Sequence, residues 1–329
     1  MMKTTAIAAI AFLAIVAAAS FRQAVPSVES SPRFEIFVGT SPCADFIKPK
    51  LQIPAGEKCD RITWQLTIFD SGKYALTQEW GFHVDNSTYL KQGKTGRSGV
   101  WEITKGRAAH PRGTVVQLDP DKPNTIAFAS FDLYLLHLLD PDKNLALGDS
   151  GASYTLSSYT TSSVLPAGSL GVSSDSDAGT EENFSGRSPC IEIAKELNHP
   201  VGTDCIKLKW SIDFYRDPQT LTPTTYRLRG TLYRNEIRGT ETIREGKWKV
   251  TKGTKADQNA IVYELDAFGS DGPISLLKAD RNILFFLSRD GHLLVGDKDF
   301  SYTLNRDTQK QLDSGKRVGV IKAQRFLLY

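Results

Sequence analysis

Two stretches of this chain repeat one another, and the repetition restricts the fold more than any other feature. Residues 41–69 read SPCADFIKPKLQIPAGEKCDRITWQLTIF, and residues 188–215 read SPCIEIAKELNHPVGTDCIKLKWSIDFY. Each copy runs Ser-Pro-Cys, a polar loop, a second Cys, and then an alternating segment centred on a Trp. The chain has four cysteines, all within these copies. Four cysteines allow three pairings. The duplication favours Cys43 with Cys59 and Cys190 with Cys205, so that each repeat carries its own bridge; free thiols or a metal site are the alternative. Such a bridge closes a loop of about 15 residues and stabilises by about 3 kcal/mol in the loop-entropy model.

The pairing requires an oxidising compartment, and the N-terminus is consistent with one. Lys3, an apolar run from Ala6 to Ala19 and a polar exit at Ser20 describe a signal peptide over 1–20. The run is too short for a comfortable membrane span. No Cys follows it closely to carry a lipid anchor. The processed chain is therefore expected to be soluble, secreted or periplasmic, with about two domains. Its charge, +3 for the whole sequence, is too small to argue for nucleic acid or an anionic membrane surface.

The match extends well beyond the cysteines. Ile62, Trp64, Leu66 and Ile68 alternate with polar residues, and Leu208, Trp210, Ile212 and Phe214 do the same. A one-residue shift would bury Lys209 and Asp213, so the register is well specified. The returning strands carry Tyr74 and Leu76, or Tyr226 and Leu228. GVWEITKG (99–106) answers GKWKVTKG (246–253), with Trp101, Ile103, Trp248 and Val250 expected inside. Leu118-Asp119 answers Leu265-Asp266, and 136–156 aligns without a gap against 284–304. Each repeat, 34–156 and 184–304, thus offers about eight short strands. Between them lies a Ser/Gly-rich linker (157–183), expected to be flexible, and a tail follows at 305–329.

Short antiparallel strands must hide their edges, and a small closed barrel does so. The expected fold is all-β, with two tandem small antiparallel β-barrels. An eight-stranded barrel either fills with side chains or holds one small ligand. Trp64, Tyr74, Trp101, Trp210, Tyr226 and Trp248 all point inward by alternation, which favours a filled interior with, at most, a small cavity at one mouth.

Gly39-Thr40-Ser41-Pro42-Cys43-Ala44-Asp45, the following strand with its Tyr74-x-Leu76 return, Gly-x-Trp at Gly99–Trp101 and the late Leu-x-x-Leu-Asp together resemble the N-terminal domain of NlpE-like envelope proteins. The resemblance covers 37–156 directly and 184–304 mainly through the internal repeat. It implies lipocalin-like barrels in the bacterial envelope and an association with copper homeostasis and envelope stress. The family's Cys-x-x-Cys is broken, because Phe46 stands at the second position and Ile193 at its counterpart. Soft Cu(I) needs neighbouring thiolates, so the residues predict no copper site at the Pro-Cys loops.

Other motifs have structural readings. Gly148-Asp149-Ser150-Gly151 resembles a serine protease nucleophile loop, but its counterpart holds Lys298 and no suitably placed His and Asp are indicated. Asp140-x-Asp142-x-Asn144 begins like a calcium loop, yet Leu145 replaces the turn glycine and Gly151 the bidentate Glu. His83, His110, His137, His199 and His292 show no paired ligand spacing. Lys207, Lys209, Lys247 and Lys249 read as a solvated wall, with an anionic partner as the alternative.

The sequence therefore predicts a non-catalytic envelope binding or sensing module with no cofactor. Its expected partner is an envelope protein or a small apolar ligand. A lipocalin-type carrier and an enzyme with a dispersed site are the alternatives. An open apolar cavity would favour the carrier; a filled barrel would favour protein interaction.

Overall fold

The computed structural model describes residues 33–308 except 86–87, 109, 161–163, 167–178, 198–201, 235–236 and 267–271. The expected signal peptide, much of the linker, His199 and most of the tail lie outside them. The first barrel closes through eight strands in sequence order: β1 (Phe34–Pro42), β2 (Arg61–Phe69), β3 (Lys73–His83), β4 (Tyr89–Arg107), β5 (His110–Leu118), β6 (Ile126–Phe131), β7 (Leu135–Leu138) and β8 (Thr155–Ser158). The second repeats the order: β9 (Glu181–Ser188), β10 (Cys205–Arg216), β11 (Pro223–Arg234), β12 (Ile237–Lys252), β13 (Ile261–Leu265), β14 (Ile274–Lys278), β15 (Ile283–Leu287) and β16 (Thr303–Arg306). All pairings are antiparallel, and β1–β8 and β9–β16 close the two barrels. The tandem-barrel architecture expected from the repeats is therefore present. One short helix, α1 (Ile191–Glu196), is the only α-helix among the described residues. No helix among them is long and apolar enough to cross a membrane.

The shared motifs each have a physical task. Ser41 and Ser188, from the two Ser-Pro-Cys segments, accept the indole N–H of Trp64 and Trp210 at 2.8 Å in each case. A buried indole needs such an acceptor, which accounts for the distant Ser–Trp pairing in both copies. In the Gly-x-Trp motif the indoles of Trp101 and Trp248 donate to the Phe69 and Tyr215 carbonyls. The glycines serve the later Leu-Asp: a Cβ on Gly99 would lie 2.1 Å from Asp119 Oδ1, and one on Gly246 2.2 Å from Asp266 Oδ1. Asp119 Oδ2 accepts from Tyr74 at 2.7 Å.

The alternation places Ile62, Trp64, Leu66, Ile68 and Tyr74 in the first interior, and Trp210, Ile212, Phe214, Tyr226 and Trp248 in the second. Two readings need correction. Trp101 packs against the first core as expected but is only half-buried, and Ile103, expected inside, is 38% exposed. Asp213 faces away from the second interior as expected but is buried, roofed over by Arg229 (Nη2, 2.7 Å) and Asn183 (Nδ2, 2.7 Å) from the two flanking strands.

A third apolar cluster joins the two barrels. Phe131, Leu135 and Leu139 of the first pack with Leu277, Ile283, Phe285 and Leu287 of the second, and the Phe131 and Phe285 rings lie 4.9 Å apart. The strands here are buried on both faces, so β7 and β15 read LLHL and ILFFL without alternation. The contact is nearly two-fold symmetric. Gly148 N–H donates to Asn305 Oδ1 and Gly296 N–H to Ser157 Oγ, both at 3.0 Å, and these are corresponding positions exchanged. In the linker, Val164 and Leu165 donate their N–H groups to the buried Glu35, and Leu165 joins the first core.

Candidate functional site

Both Ser-Pro-Cys loops are bridged, Cys43 to Cys59 and Cys190 to Cys205, with Cα separations of 5.7 and 6.1 Å. Each bridge ties the ends of a segment that covers a barrel mouth. In the first barrel this segment turns through Pro49–Leu51 and drives Ile47, Leu51 and Ile53 into the core. The wall beneath holds it by its carbonyls. Gln78 and Thr95 donate to the Leu51 carbonyl, at 3.4 Å each, and Arg97 Nη1 donates to the Lys50 carbonyl at 3.0 Å. Trp80 fills the remaining space, lying so close to Gly93 that a Cβ there would meet its ring at 2.2 Å. These side chains fill the mouth of the first barrel.

The second barrel differs at the same place. Its register pairs Trp210 with Gly230, where the first barrel pairs Trp64 with Gln78. Likewise Leu208 pairs with Leu232, where Ile62 pairs with Trp80. Two large inward side chains have thus been replaced by a glycine and a leucine. The result is a cavity of about 260 Å³, roofed by Ala194 and Leu197 of the α1 segment and floored by Trp210 and Leu228. Arg234, Thr240 and Thr242 form an exposed rim. Arg244, the counterpart of Arg97, is buried in its wall. It lies near enough to Tyr226 to act on its ionisation, although burial first, and Asp266 next, push that phenol up to about 12.

The remaining sequence candidates are structural. Asp149 Oδ1 accepts from the N–H groups of Gly151 and Ala152, and Asp297 Oδ1 accepts from those of Asp299 and Phe300, so the protease-like loop is one of two equivalent turns. Asp140 Oδ1 accepts from Asp142 and Asn144 N–H, closing a turn of its own. His110 lies against the Ala279 carbonyl across the barrel contact, His137 is wholly buried there, and His83 is exposed beside Asp60. Among the described residues no group of three His, Cys, Asp or Glu side chains is placed to hold a metal. In the lysine wall, Lys249 pairs with Glu264 at 2.7 Å and Lys207 stacks over Tyr233 and Phe300.

The cavity residues did not stand out in the sequence. The signal was available in the alignment of the repeats, as Gln78 against Gly230 and Trp80 against Leu232. No protein-family model, curated protein or solved structure matches the chain.

Proposed function

We propose that this chain is a non-catalytic binding protein of the cell envelope, in which the first barrel is a filled scaffold and the second carries a small, largely apolar ligand. One observation carries the reading: the same mouth is plugged by Gln78, Trp80 and Leu51 in one repeat and open at Gly230 and Leu232 in the other. The cavity lies just below the roughly 300 Å³ at which small-molecule sites begin, so its ligand is small. The two bridges and the resemblance to NlpE-like proteins support a setting outside the cytoplasm. They support the copper association less, since both sulfurs of each loop are oxidised and offer no thiolate. The filled first barrel favours a second role, contact with another envelope protein through its outer wall.

The test is a titration with 1-aminonaphthalene, whose emission rises in apolar surroundings, on the native chain and on Gly230→Gln. The glutamine restores the first-barrel residue, and a Cβ at Gly230 meets its neighbours only at ordinary contact distance. Saturable binding lost in the variant supports the carrier. Equal response from both proteins, or none from either, overturns it.

A further inference from the structure

We infer that the second-barrel cavity selects amphipathic molecules with an anionic head, such as a short-chain carboxylate; this rests on the carrier reading above. The first barrel shows what the wall is built to hold. There Thr95 and Arg97, neighbours on one inward stripe of β4, donate to the carbonyl oxygens of Leu51 and Lys50, which the protein itself supplies. The second barrel keeps the same stripe as Thr242 and Arg244 on β12, and both line the cavity. Acceptor oxygens of a ligand would stand where the loop carbonyls stand in the first barrel.

The donors that line the wall favour an anionic head. Two arginines, Arg234 at the rim and Arg244 deeper, line the cavity, and no carboxylate does among the described lining residues. Guanidinium is the side chain best matched to a carboxylate, through paired N–H donors. Thr240, two positions before Thr242, adds a further hydroxyl to the lining. The apolar floor of Trp210 and Leu228 and the roof of Ala194 and Leu197 accept the tail. A space of about 260 Å³ suits a tail of about octyl size or shorter.

Isothermal titration with octanoate, octanol and octyltrimethylammonium at low salt tests this. We expect octanoate to bind about tenfold or more tightly than octanol, the ammonium compound to bind weakest, and the carboxylate preference to shrink with added salt. Arg244→Gln should remove most of the preference. Arg234→Gln, on an exposed and weakly bridged side chain (3.8 Å to Asp204), should reduce it without affecting folding, so a failure of the buried variant to fold leaves the test intact. Octanol binding as tightly as octanoate, or a preference unchanged in Arg234→Gln and in a folded Arg244→Gln, overturns the anionic head while the carrier reading stands. Failure of all three compounds to bind overturns both.

Discussion

Thr155 Oγ1 and Thr303 Oγ1 lie 2.9 Å apart and occupy the same position in their respective repeats. Each belongs to the last strand of its barrel, so the two barrels meet through equivalent surfaces about a local two-fold axis. An isologous contact of this kind is how identical subunits pair. Here it lies within one chain and encloses its own apolar cluster.

Phe131 and Phe285 are the large side chains of that cluster, each 1% exposed. Truncating a buried Phe costs about 3–5 kcal/mol. We expect Phe285→Ala to lose stability in this range and to turn one unfolding transition into two, because the contact coupling the barrels is weakened. Urea denaturation followed by tryptophan emission and by circular dichroism reads both effects. A single transition at the native midpoint would show that the barrels are held together by something else.

His137 lies on the same surface and is wholly buried, with Nδ1 2.9 Å from Thr155 Oγ1 and Nε2 2.9 Å from the Ala146 carbonyl. A carbonyl can only accept, so Nε2 carries the proton and Nδ1 accepts from the threonine. Burial holds the pKa down at about 4, and the nearby Arg107 acts in the same direction. Below about pH 6.5 the unfolded chain binds a proton that the folded chain refuses, so stability falls with pH between about 6.5 and 4. The loss is on the order of 3 kcal/mol. Melting temperatures over that range should show a slope that His137→Gln, which cannot titrate, removes. The same slope in the variant would place the titrating group elsewhere.

Barrel number, strand order and the bridges were legible because they depend on local patterns that occur twice. Ile62 to Ile68 and Leu208 to Phe214 alternate with period two, and each cysteine pair is close in sequence. The barrel contact also left a mark, in the non-alternating runs at 135–139, broken only by His137, and at 283–287, but a run of this kind fits any doubly covered strand and names no partner. Asp213 was harder to place, because its cover comes from Arg229 on a neighbouring strand. The cavity lay beyond alternation altogether. It depends on the volume at Gly230 and Leu232, and the period of a strand is the same whether an inward residue is a glycine or a tryptophan.

Gly99 and Gly246 offer a test of the repeated Gly-x-Trp motif. An alanine at Gly99 would place its Cβ against Asp119 Oδ1, and Asp119 is held by Tyr74, Arg97 and Lys122. Overpacking of this kind costs about 1–3 kcal/mol. Tyr74→Phe removes one partner of Asp119 without crowding it. It should cost about 1–3 kcal/mol, as for a buried acceptor losing a donor. If the crowding acts by disturbing the Tyr74–Asp119 bond, the double variant will lose less than the sum of the singles. Additive losses would mean that the glycine is needed for a separate reason.

The bridges set the last expectation. Cys43 and Cys59 tie down the plug that fills the first barrel, and Cys190 and Cys205 tie down the roof of the cavity in the second. Removing either bridge as a double Cys→Ser variant should cost about 3 kcal/mol for a loop of this length, yet the functional consequences should differ. The Cys190→Ser/Cys205→Ser protein should bind octanoate more weakly, because Ala194 and Leu197 are then held less firmly over the cavity. The Cys43→Ser/Cys59→Ser protein should bind it as the native chain does. Anaerobic Cu(I) titration of the oxidised native protein should show no tight site at either loop, since soft-metal ligation needs thiolate and a disulfide supplies none. Stoichiometric copper binding lost only in the Cys43→Ser/Cys59→Ser variant would reverse that expectation and make the first loop, not the second cavity, the functional end of the molecule.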